Sequence, residues 1–166
     1  MNWKIAALGL GSVMVLLAAF SLSNTVMGFT GGTIHVSIPE AELQGVKMYG
    51  GSYEDPVPVV VQEVDSLNCP AGQIITREMT LPGPITIKVK LSMGKADLSK
   101  VLMKATGMQS TSGTLENVDM WVENVPEGLV QTIKRGTMYN LDTDIYFVSM
   151  SSLDYERLGI SIEVSP

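Results

Sequence analysis

The chain has 166 residues, enough for one domain and little more. Acidic residues outnumber basic ones 17 to 11, giving a formal net charge of −6, yet charged residues are only 17% of the chain, below the usual quarter. One Cys and one His exclude a disulfide within the chain and argue against a His/Cys zinc site. The missing basic surface argues against nucleic acid, and high hydrophobicity at low charge density argues against disorder.

The charge is unevenly placed. Lys4 is the sole charged side chain before Glu40, and Ile5–Phe20 is apolar except for one Ser and two Gly. Without this leader the chain holds 10 basic and 17 acidic residues, a net −7. Two membrane readings compete. A secretory signal has a short positive start, an apolar stretch and small residues, with Val26 and Gly28 at the −3 and −1 sites. An uncleaved signal-anchor helix would use Ser21–Gly28 to reach the ~20 residues of a bilayer span. A buried core helix is disfavoured, since it would show a polar face. Ile5, Leu8, Leu10, Val13, Val15, Leu16, Leu17 and Phe20 are the expected lipid contacts. The expected organisation is a signal-anchor or signal-peptide helix over 1–28, a Gly linker at 29–32 and an extracytoplasmic β domain over 33–166. The N-terminus is then cytoplasmic and residues 30–166 lie outside, or are secreted if the leader is cleaved.

The body reads as strands. Thr33–Ile38 is a short strand ending at Pro39. Val57–Asp65 is β-branched, with prolines that mark an edge or a strand start. Ile85–Leu91 alternates Ile85, Ile87, Val89 and Leu91 against Thr86, Lys88 and Lys90. Asp97–Lys104 fits a helical face or a strand, and the strand is favoured. Thr114–Glu123 sets Val118, Met120 and Val122 on one face. Tyr139–Ser149 sets Leu141, Ile145 and Phe147 against Asn140, Asp142 and Asp144. Leu158–Val164 is the last strand. Turn signals stand at Tyr49-Gly50-Gly51, Pro70-Ala71-Gly72, Pro82-Gly83-Pro84, Gly113, Pro126-Glu127-Gly128 and Gly136. The segment Leu115-Glu-Asn117-Val-Asp119 echoes Met138-Tyr-Asn140-Leu-Asp142, as two neighbouring strands would. The expected fold is all-β: an antiparallel sandwich or a curved, partly closed sheet, preceded by one N-terminal hydrophobic helix.

Catalytic constellations are missing. His35 has no G-x-S-x-G partner, and Cys69 sits in a turn with nothing to orient it. No phosphate-binding glycine loop or cofactor motif occurs. The acidic strand faces are the best metal candidate: Asn140, Asp142 and Asp144, with Asp119 if the strands pair, form a weak calcium site against the commoner solvated face. The 11 Met residues are scattered as core filler rather than clustered for copper. Trp121 lies opposite Val118, Met120 and Val122 by parity. Tyr146 and Val148 share the face of Asp142 and Asp144. Exposed aromatics beside carboxylates suit a partner contact or an edge that pairs with another chain; a sandwich burying both faces is the equal alternative.

Several short motifs carry a resemblance. The leader runs straight into a strand (Met27–Ile38). Leu43-Gln-Gly45 leads to Tyr49-Gly50, Pro56–Val61 leads to Leu67-Asn68-Cys69, and Pro82–Ile87 precedes Leu115-Glu-Asn117-Val-Asp119-Met120. This arrangement resembles an uncharacterised family of secreted actinobacterial proteins, domain-of-unknown-function family 6230. The resemblance implies an extracytoplasmic β domain. Some members carry a cholesterol esterase label, which no catalytic set in this chain supports. It also implies a second Cys near the C-terminus, and this chain departs by ending Val164-Ser-Pro166. Cys69 is then unpaired or bonded to another chain.

The expected function is a non-enzymatic, membrane-anchored structural or accessory subunit. It would need no cofactor and work through protein contacts at Trp121, Tyr146 and Cys69. Its partners would be the bilayer, through residues 5–28, and other membrane or surface proteins, copies of itself among them. The alternative is a secreted binder of lipid or another hydrophobic ligand.

Overall fold

The computed structural model describes residues 25–28, 33–53, 57–80, 83–122 and 128–166. The leader residues 1–24 and the linker 29–32 lie outside the described residues, so the expected helix does too. Among the described residues no helix is long and apolar enough to cross a membrane. They fold as antiparallel strands: β1 (Thr25–Gly28), β2 (Ile34–Tyr53), β3 (Val57–Cys69), β4 (Gln73–Thr80), β5 (Thr86–Met93), β6 (Ala96–Gln109), β7 (Ser112–Val122), β8 (Leu129–Met150), β9 (Ser152–Tyr155) and β10 (Leu158–Ser165).

The all-β expectation holds, and a sandwich-like arrangement follows from how the long strands change neighbours. The first part of β8 lies between β7 and β2, and its last part between β6 and β2 or β1. The start of β2 lies between β4 and β8, and its later part between β3 and β8. All the described strands belong to one continuous sheet, which folds over where its long strands change neighbours, as at the corners of sandwiches. Pairing runs β2–β3–β6–β8 and back to β2. That closure removes most of the unpaired edges a flat sheet would have.

The bends have local causes. Pairing skips Pro39 and Asn140 where β2 meets β8. Pro39 has no N–H to give the ladder. Asn140 is left-handed, with φ +50°, and its side-chain amide donates to Thr111 Oγ1 at 3.0 Å. Thr111 lies in the short break between β6 and β7, which otherwise run along the same side of β8.

A second row of skipped positions crosses five strands: Asn117 on β7, Lys134 on β8, Gly45 on β2, Asp65 on β3 and Lys100 on β6. Gly45, Lys100 and Asn117 are left-handed, with φ of +63°, +52° and +53°. Alternation shifts there, so buried positions stand three apart rather than two: Leu43 and Val46, Val64 and Leu67, Leu98 and Val101. Without these shifts the residues beyond the row would turn their apolar side chains to solvent. Lys100 Nζ reaches Asp65 Oδ1 at 3.0 Å across the row.

The core is one cluster between the folded parts of this sheet, including Ile34, Ile38, Leu43, Val64, Ile87, Leu91, Leu141 and Ile145. Burying each such side chain contributes about 1.5–3 kcal/mol before chain entropy is counted.

Several sequence expectations are corrected. β2 bends at Pro39 but does not end there, and it continues through Tyr49-Gly50-Gly51, because β3 and β8 supply partners along most of its later length. Gly113 and Gly136 lie inside strands rather than turns. A Cβ on Gly136 would stand 2.8 Å from Leu115 Cδ2, so its bare backbone lets β7 pack close. The strand over Val57–Asp65 is interior from Val60 onward, with Pro58 near its start. Val148, not Phe147, is buried, because the β6–β8 register shifts around Ala105. Residues 25–28, counted with the leader helix, form β1 on the last residues of β8, beyond the reach of β2. The Asp97–Lys104 segment is strand, as favoured.

Candidate functional site: two uncovered edge strands

β7 is the least covered long strand. It pairs with β8 on one side, and no other described strand pairs with it. All 11 of its residues are exposed, including Met120 at 64%, Val122 at 78% and Trp121 at 40%. Met120, expected on a core face, is therefore outside. Among the described strands β8 alone pairs with it: Glu116 stands opposite Arg135, Val118 opposite Ile133 and Trp121 opposite Val130. A strand exposed on both faces and along one edge offers a row of backbone N–H and C=O groups to another chain. Single exposed apolar residues are ordinary, but Leu115, Val118, Met120, Trp121 and Val122 all lie exposed within eight residues of one strand.

β10 is, after β7, the longest strand with a single partner among the described strands. It pairs with β5 alone among the described strands. Ile160, Ile162 and Val164 stand opposite Leu91, Val89 and Ile87 on one face. The β5 residues are each 1% exposed, whereas Ile162 is 41% and Val164 50% exposed. The apolar face thus continues one strand beyond the point where the core stops covering it.

Asp142 and Asp144 do meet, on His35. His35 Nε2 lies 3.2 Å from Asp142 Oδ1 and Nδ1 lies 2.9 Å from Asp144 Oδ1. All three side chains are about half exposed. Asp119 does not join them: β7 and β8 pair, but their register sets Asp119 opposite Thr132, ten residues and roughly 33 Å along the strand from Asp142. Asn140 is tied to Thr111 instead. Among the described residues, no group of three or more His, Cys, Asp or Glu side chains is arranged to hold a metal ion. Ser37 stands opposite Asp142 on the His35 side of the strand pair. Both ring nitrogens of His35 face carboxylates.

Cys69 is buried, with 0% exposure, and free. Burial, with the Asp97 carboxylate adding to it, pushes its thiol up to about 12. As folded, this thiol cannot reach another chain. Tyr146 is half-buried rather than exposed.

The core encloses a cavity of ≈ 50 Å³ lined by Ile34, Leu43, Leu67, Met103, Leu141 and Ile145, with Gln62, Gln73 and Thr143 as polar neighbours. That is room for a few waters, against the roughly 300–1,000 Å³ of ligand pockets.

Sequence reasoning left Trp121 open between exposed and buried, and it is exposed; it set Asp142 and Asp144 on one face but missed that β7 is exposed on both faces and that β10 is an edge. The polar pair Glu116-Asn117 and then Asp119, interrupting the apolar positions of β7, carried the first signal. No signal marked β10, whose clean alternation reads like that of a covered strand. No protein-family model, no curated protein and no solved structure matches the chain.

Proposed function

We propose that this chain is a non-enzymatic structural or accessory subunit that works by lending an exposed strand edge to other proteins. Its N-terminal apolar segment holds it at a membrane, with the β domain outside the cytoplasm, as the resemblance to family 6230 also implies. The observation that carries the reading is β7, whose 11 residues are exposed throughout. An edge of that length with apolar side chains is an aggregation hazard unless a partner covers it. Among the described residues His35 is held between two carboxylates, and the core cavity of ≈ 50 Å³ is too small to hold an acyl chain.

The test is purification of the full chain in gentle detergent, beside a Val118→Lys/Met120→Lys variant. The reading expects wild type to bring a companion chain and the variant to lose it while keeping its melting temperature. A wild-type monomer with no companion, or a companion retained by the variant, contradicts the reading.

A further inference from the structure

Independently of β7, three polar side chains are buried in the core: Gln62, Gln73 and Thr143, at 2%, 4% and 6% exposure. They come from β3, β4 and β8, and no two of these strands pair with each other. Their positions on the ladders turn them inward. Gln62 stands opposite Met103, Gln73 opposite Met93 and Thr143 opposite Val36, and all three of those residues are buried. Residues directly opposite share a face of the sheet. All three polar side chains line the same core cavity of ≈ 50 Å³.

Their hydrogen bonding is incomplete. Gln73 Nε2 donates to Met93 Sδ at 3.4 Å, and a thioether is a weak acceptor. Among the described residues the Gln62 amide finds no hydrogen-bond partner. A buried amide left in that state is costly, and folded proteins rarely keep one.

We infer that this cavity is a binding site for water, held at the Gln62 amide. A water needs about 10–15 Å³ of such space and two to four polar partners, so there is room for about three. The Gln62 amide brings two N–H donors and a carbonyl acceptor. Gln73 and Thr143, on the same cavity wall, supply the further partners. The rest of the wall is apolar, so the waters gather at the amides. Other occupants fit less well. No charged side chain lines the cavity, so an ion would lie buried and unpaired. An apolar guest would leave the Gln62 amide unsatisfied.

The bound water does what the strand ladders do not. It ties β3, β4 and β8 to one another through the interior, and so fixes how the parts of the folded sheet sit against each other. Ordered water in such a place is part of the structure and is costly to remove.

The test compares the full chain in gentle detergent with a Gln62→Met variant, which keeps the side-chain length and removes the amide. Oxygen-17 relaxation dispersion counts the waters held for longer than the tumbling time. The inference expects wild type to hold at least one more such water than Gln62→Met. It also expects the variant to melt at least about 2 °C lower, since the waters lose their main partner. Equal water counts overturn the inference. So does a variant that melts higher, the result for a dry cavity relieved of an unpaired amide. If Gln62→Met does not fold, wild type under xenon pressure and a Thr143→Val variant decide instead. Xenon bound in the wild-type core marks an empty apolar cavity and overturns the inference, as does an unchanged water count in Thr143→Val. Exclusion of xenon with loss of a held water in Thr143→Val supports it.

Discussion

Gly45→Ala tests the row of kinks that shapes the sheet. Gly45 has φ +63°, a conformation that costs a residue with a Cβ about 1–2 kcal/mol. Replacing Gly also stiffens the unfolded chain, which offsets roughly 0.4–1 kcal/mol. The new methyl would overlap the Asp65 carboxylate and stand 2.9 Å from Asp65 Cβ. Relieving that contact means moving the Asp65 side chain and releasing its 3.0 Å bond to Lys100. Overpacking of this kind costs about 1–3 kcal/mol, and the exposed ion pair adds at most about 1 kcal/mol. The expected loss is about 1–5 kcal/mol, measured by urea denaturation followed by circular dichroism. Adding Asp65→Ala should recover about 1 kcal/mol and leave the backbone cost in place. A Gly45→Ala protein within 0.5 kcal/mol of wild type, or one that Asp65→Ala does not rescue, would refute the reasoning.

Three further outcomes follow from the packing. Cys69 should resist a thiol reagent at pH 8 in the native protein and react only as fast as the chain opens; prompt labelling would place it outside the core. Because its pKa is raised from 9.0 to about 12, the folded state holds this proton more tightly than the unfolded one. Its contribution to stability is complete below about pH 9 and is lost as the pH rises toward about 12, which a pH series of denaturation midpoints can follow. Leu91→Ala should cost about 2–5 kcal/mol, as for other buried leucines, whereas Val122→Ser should change the stability of the isolated chain by less than about 0.5 kcal/mol and still weaken association. His35→Ala leaves Asp142 and Asp144 without the ring between them and should cost about 0.2–1 kcal/mol, since all three groups are half exposed. A larger loss would mean a more buried site.

Most strands were legible because one buried face imposes a period of two, as in β5 with Ile87, Val89 and Leu91. Boundaries were not. Glycine at Gly51 and Gly136 reads as a turn, yet close packing against another strand also demands a missing side chain. Pro39 reads as a stop, but where pairing already skips a residue its absent N–H costs little. The row of phase shifts shows in the sequence as adjacent polar pairs inside apolar alternation: Gln44-Gly45, Asp65-Ser66, Ser99-Lys100, Glu116-Asn117 and Lys134-Arg135. No single pair is informative, and only pairing aligns them. The echo between Leu115–Asp119 and Met138–Asp142 has a structural basis: Asn117 and Asn140 are both left-handed, as Asn tolerates better than most residues. Which edge stays uncovered depends on how neighbouring strands pair, so β7 and β10 emerged only from topology.

The central claim is that another chain covers β7, and hydrogen exchange reads that directly. In protein extracted gently with its companions, amides of residues 112–122 on the edge away from β8 should exchange at least tenfold more slowly than in the Val118→Lys/Met120→Lys variant. Equal, rapid exchange of this segment in both preparations would contradict the account.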